Sequence, residues 1–105
     1  MLIIETPIFT KRILEVLSDD EYREPQQMLV KNPEQGAIIP GGGGLRKIRW
    51  TAGGRGKRGG ARIIYYWFVS DSTVLMLFVF KKNERSDITK AQLKVLRTIV
   101  EKELK

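Results

Sequence analysis

The chain has 105 residues with neither cysteine nor histidine, which excludes disulfides, thiolate metal sites and histidine-based acid–base or metal chemistry. Its formal net charge is +7, and the excess is local: seven of the 19 basic residues (Arg46, Lys47, Arg49, Arg55, Lys57, Arg58, Arg62) lie between Gly36 and Ser70 with no acid among them. The other twelve balance the twelve acids, so one segment carries the whole positive field, and such a field points to nucleic acid or another polyanion.

The length predicts one domain spanning 1–105 with a single core. No apolar run approaches the ~20 residues of a membrane span, and "MLIIETPIF" is too short and too acidic for a signal peptide. A cytoplasmic location is therefore expected.

In chain order, "LIIE" (Leu2–Glu5) predicts a short strand. Thr6-Pro7 predicts a helix start, because a threonine hydroxyl accepts from a free backbone N–H and proline suits the first helical position. Phe9, Ile13, Val16 and Leu17 follow at three-to-four spacing and give that helix one buried face. "SDDE" (Ser18–Glu21) has the form of a capping box, opening a second helix that stops near Asn32-Pro33. Pro25 lies inside it, where the missing N–H predicts a kink. "EQGAIIPGGGG" (Glu34–Gly44) predicts a loop.

Beyond the loop the period changes from helical to alternating. In "LRKIRW", Lys47 and Arg49 fall on one face, with Ile48 and Trp50 on the other. "ARIIYYWF" (Ala61–Phe68) is dense in β-branched and aromatic residues, and "TVLMLFVF" (Thr73–Phe80), apolar on both faces, predicts a central strand covered on both sides. Asp71-Ser72 predicts the turn between them. From Ser86, read as the cap, a last helix carries Ile88, Ala91, Leu93, Val95, Leu96, Ile99 and Val100 as a wide apolar stripe. Asp87 suits the positive end of its dipole. The expected fold is α+β, in the order β-α-α-β-β-β-α, with an antiparallel sheet packed against helices and the first strand joining the sheet.

The glycine segments fail as nucleotide loops. Gly56-Lys57 is followed by Arg58 rather than Ser or Thr, Thr51 stands where the first glycine belongs, and the segment leads into a strand. "GGRGKRGG" is better suited to carrying Arg55, Lys57 and Arg58 to phosphates on an adaptable backbone. Of the aromatic run Tyr65–Phe68, alternation sends at least half into the core, against a base-stacking platform.

The residues "GGLRKIRW", "GKRGGARIIYYW" and "KKNERSD", with the element order, resemble the RelE/HigB toxins of bacterial toxin–antitoxin pairs, closest to the HigB-like branch. The resemblance implies a ribosome-dependent mRNA endoribonuclease that enters the A site, inhibits translation, needs no metal or cofactor and is neutralised by a cognate, DNA-binding antitoxin. Carried over by position, the family's two strand lysines fall on Lys47 and Arg49 and its transition-state arginine on Arg62. Lys82 matches a lysine of the later basic segment. The family arginine and tyrosine that follow meet Asn83 and Thr89, which leaves the general acid to Lys82 or Arg85. Arg46, Arg55, Lys57, Arg58, Asn83 and Arg85 are the expected contacts to RNA or ribosome.

The chemistry is consistent with such a cluster. Cleavage by the RNA's own 2′-hydroxyl needs proton removal, charge stabilisation on phosphorus and protonation of the leaving 5′-oxygen. Crowded cations ease access to a neutral lysine, making Lys47 the candidate base, while a permanently charged Arg62 clamps the phosphate. Two other readings remain open: a non-enzymatic gyrase inhibitor like the related ParE toxins, and a plain RNA-binding module.

Overall fold

The computed structural model describes residues 2–50, 60–81 and 87–103. The elements are β1 (Leu2–Glu5), α1 (Pro7–Val16), α2 (Asp19–Lys31), β2 (Ala37–Ile38), β3 (Arg46–Trp50), β4 (Ala61–Phe68), β5 (Thr73–Lys81) and α3 (Lys90–Glu103). The strands form one sheet in the order β1-β5-β4-β3-β2. Both faces are covered. Phe9 and Ile13 of α1, Leu17 just after it, and Tyr22 and Leu29 of α2 pack with Ile48, Ile63, Tyr65 and Met76 on one side. Leu96 and Val100 of α3 pack with Leu45, Ile64, Phe68, Leu75 and Phe80 on the other.

β5 is central, between β1 and β4, and buried along almost its whole length, as its two-sided apolar pattern predicts. Its parity nevertheless changes midway. Ile64 pairs with Phe78 and Tyr65 with Met76, so Leu77 is an extra residue on β5. Leu77 and Phe78 thereby face the same core layer, the expected result of one inserted residue.

The sheet is mixed rather than antiparallel. β1 runs parallel to β5, with Leu2 opposite Thr73 and Glu5 opposite Met76. A single hydroxyl then joins strand, helix and bulge: Thr6 Oγ1 accepts from the Phe9 N–H at 3.1 Å and donates to the Leu77 carbonyl at 2.9 Å. Farther along this edge, Arg12 Nε donates to the Val79 carbonyl at 2.8 Å.

Ser18 and Glu21 form the capping box of α2, and the helix continues through Pro25 to Lys31. The proline ring is fully buried, so its apolar packing offsets the missing hydrogen bond. The segment Glu34–Gly44 is not wholly loop, because Ala37 and Ile38 pair with Lys47 and Arg46 as a short edge strand. The β4–β5 connection takes four residues, with Ser72 N–H bonded to the Val69 carbonyl and Ser72 at φ 48°. α3 begins later than the sequence suggests. Thr89 accepts from the Gln92 N–H while the Gln92 side chain accepts from the Thr89 N–H, a reciprocal cap that places the helix start at Lys90. Ser86 lies outside the described residues. Val95 and Ala91 are exposed, so the buried stripe on α3 is narrower than expected and centres on Leu96 and Val100.

Candidate active site

The site is built on β3 and β4. Strand alternation sends Lys47 and Arg49 to the α3 side of the sheet. Pairing with β4 puts Arg62 directly opposite Arg49, and Ile64 opposite Lys47. On the other flank of β4, Arg62 is paired with Phe80. Three cations therefore share one face; alternation in the sequence places two of them, Lys47 and Arg49, together.

Two features set this cluster apart from an ordinary basic surface. Arg62 is only 7% exposed, and arginine is rarely so buried. Its pKa is lowered, first by burial and next by the charge of Arg49, with Asp87 opposing; it remains a cation at neutral pH. Like charges placed directly across a strand pair also destabilise the sheet. The Arg49–Arg62 pair is thus an arrangement that stability alone does not favour.

Asp87 supplies the counter-charge. Each of its carboxylate oxygens lies 3.3 Å from Lys47 Nζ, and Oδ1 also accepts from the Ile88 N–H at 2.8 Å. The residues just before α3 thus meet the cation face of β3. The sequence reading assigned Asp87 to the helix dipole and missed this role.

Arg46 sits on the opposite face of β3 from Lys47 and Arg49. Its Nη1 donates to the carbonyls of Glu34 (3.1 Å) and Gly36 (2.9 Å), with the Glu34 carboxylate 4.0 Å from Nη2. Tyr65 closes the same loop: its hydroxyl donates to the Pro33 carbonyl at 2.7 Å and accepts from the Gly36 N–H at 2.8 Å. Burial raises the Tyr65 pKa. A Cβ on Gly36 would lie 2.7 Å from that hydroxyl, so only glycine permits the contact. This latch holds the chain entering β2, the neighbour of β3.

Arg55, Lys57, Arg58, Lys82, Asn83 and Arg85 lie outside the described residues. Among the described residues no group of three or more carboxylates forms a metal-ligand cluster, and no helix is long and apolar enough to cross a membrane. Tyr65 and Phe68 are buried, while Tyr66 and Trp67 are partly buried and packed against the two cores, so the aromatic run is chiefly core.

Residues 8–105 match the family described as the RelE toxin of the RelE/RelB toxin–antitoxin system. The chain belongs to the RelE toxin family. Two solved RelE-related structures share the fold. One is a chain of the intact Escherichia coli RelBE toxin–antitoxin complex, at 15% identity, TM-score 0.55, covering 76% of this chain and 94% of the other. The second is a double arginine-to-alanine variant of the E. coli toxin RelE in its free state, at 18% identity, TM-score 0.58, covering 81% and 86%. This RelE family member thus carries Lys47, Arg49 and Arg62 on the α3 face of its sheet.

Proposed function

We propose that the protein is a ribosome-dependent mRNA endoribonuclease toxin that acts in the cytoplasm and arrests translation. The observation that carries this reading is the opposed pair Arg49 and Arg62, with Arg62 nearly buried and Lys47 on the same face. Such a set binds and polarises a phosphodiester without a metal or a histidine.

In this reading the RNA 2′-oxygen attacks the adjacent phosphorus, and the bond to the 5′-oxygen breaks. The Lys47 ammonium first leaves Asp87 and gives a proton to water, and the neutral amine that results takes the 2′-hydroxyl proton. Arg62 donates to the non-bridging oxygens, whose charge grows in the transition state. Its burial removes competing water and fixes its direction. Arg49 adds charge at the open side. Lys82 or Arg85 protonates the leaving 5′-oxygen, and Arg55, Lys57, Arg58 and Asn83 hold RNA. The ribosome supplies the substrate alignment that a weak base needs.

Family membership supports a neutralising antitoxin as partner, since the related E. coli toxin is known in an intact RelBE complex. The "GGLRKIRW" and "GKRGGARIIYYW" segments favour the HigB-like branch. Tightly controlled expression in bacteria, followed by mapping of mRNA 5′ ends, tests the proposal. New ends inside translated reading frames are expected. Growth arrest without new ends, or with gyrase inhibited instead, contradicts it.

A further inference from the structure

A second basic surface lies on α3, away from the residues assigned to the chemistry. The glycine segment that links β2 to β3 folds back over this helix. Arg97 Nη1 donates to the Gly41 carbonyl at 3.2 Å. A Cβ on Gly43, at φ 64°, would approach Arg97 Nε to 3.0 Å, so glycine allows the loop to settle on the guanidinium. Between loop and helix is an open groove of about 430 Å³, walled by Pro40 and Gly41 on one side and by Lys90, Lys94 and Arg97 on the other, with Glu101 at its far end.

The charge order along this wall is unfavourable for the helix itself. Lys90 and Lys94 are like charges at i, i+4, a spacing that destabilises. Lys90 opens the first turn, where the dipole favours anions and disfavours cations, and that turn holds no acidic residue. The single acid of this wall, Glu101, stands beyond the three cations. Here Lys90, Lys94 and Arg97 recur at four and three residues, about 6 and 4.5 Å apart along the axis, a spacing on the scale of successive phosphates on a strand. The groove also begins where the cluster ends, because Lys90 follows Asp87, the partner of Lys47, by three residues.

We infer that the groove between the glycine loop and α3 is a phosphate track for single-stranded RNA leading away from the Lys47–Arg62 cluster. This deepens the nuclease reading and rests on it for the identity of the strand. An extended backbone lies along Lys90 and Lys94, and Arg97, fixed by Gly41, marks the closed side. The ligand class is the RNA phosphodiester chain, read by charge rather than by base.

The test compares the wild-type chain with a Lys90→Gln/Lys94→Gln variant and with a Lys11→Gln/Lys31→Gln control on the helices of the opposite face. Binding to a 12-nucleotide mixed-sequence RNA, to ribosomes with an empty A site and to a poly-glutamate peptide is measured across a salt series. The groove variant should lower the salt slope for the oligonucleotide by about 1.4, the counterion release of two single-strand contacts, while the control leaves it unchanged. Equal slopes for wild type and groove variant overturn the proposal. So does an equal fall in both variants, which reports net charge alone. A fall confined to ribosomes assigns the surface to ribosomal RNA, and one confined to the peptide assigns it to an acidic protein; either contradicts the track. Cleavage is not the readout, so an Arg62→Ala chain shows the same groove response even if the assignment of the chemistry fails.

Discussion

The ammonium of Lys47 lies 3.3 Å from both carboxylate oxygens of Asp87. This ion pair ties β3 to the residues that enter α3, and it sets an anion among the cations of the candidate site. An RNA phosphate arriving there competes with it. Asp87→Asn should therefore tighten RNA binding. A partly exposed pair is worth about 0.2–1 kcal/mol, which corresponds to a gain of up to about fivefold at low salt, fading as salt rises. Fluorescence anisotropy with labelled RNA at two ionic strengths measures it, and unchanged or weaker binding contradicts the competition.

The latch of Tyr65 predicts a stability effect at a distance from the cluster. Tyr65→Phe leaves the Gly36 N–H and the Pro33 carbonyl without their partner, at a cost of about 1–3 kcal/mol. Gly36→Ala should also destabilise, because its Cβ collides with the tyrosine hydroxyl. The same Cβ would lie 2.8 Å from the ring carbon Cε1, which phenylalanine keeps, so the double variant should be less stable than Tyr65→Phe alone. Urea unfolding of the single and double variants reads this directly.

Tyr22 predicts a fall of stability in alkali. Its hydroxyl donates to Glu5 at 2.6 Å, and burial, with this bond and the nearby carboxylate, raises its pKa. Below pH ~10, the ordinary tyrosine value, folded and unfolded chains both hold the proton and stability is unaffected. Above it the unfolded chain releases the proton while the folded chain keeps it. The unfolded state then binds fewer protons, and stability falls as pH rises, by at most about 1.4 kcal/mol per unit for this group. Urea midpoints between pH 9 and 11 should fall less steeply for Tyr22→Phe than for the wild type.

Much of this architecture was legible in the chain. Alternation in "LRKIRW" separated Lys47 and Arg49 from Ile48 and Trp50, and the sheet keeps that separation. The two-sided apolar run identified β5 as the central strand. What escaped was set by tertiary context. A four-residue strand holds no record of its direction, so the parallel pairing of β1 depends on where α1 and Thr6 attach to β5. The bulge at Leu77 was invisible because a continuous apolar run has no parity to break. Ser86 masked Thr89 as a cap, since either residue satisfies the local rule. Nothing in the order of residues indicated that Asp87 returns over Lys47, 40 positions earlier.

The central claim is that Arg62 stabilises charge on a phosphate undergoing cleavage. Its most direct measurement is the single-turnover cleavage rate of a message programmed in the A site of purified ribosomes, for wild type, Arg62→Lys and Arg62→Ala, with folding verified by circular dichroism. Loss of a donor to the developing charge removes about 2.7–4 kcal/mol of transition-state stabilisation. Arg62→Ala should therefore cut 10²- to 10³-fold more slowly while binding ribosomes nearly as well, with Arg62→Lys between the two. A folded Arg62→Ala protein that cleaves at the wild-type rate contradicts the account.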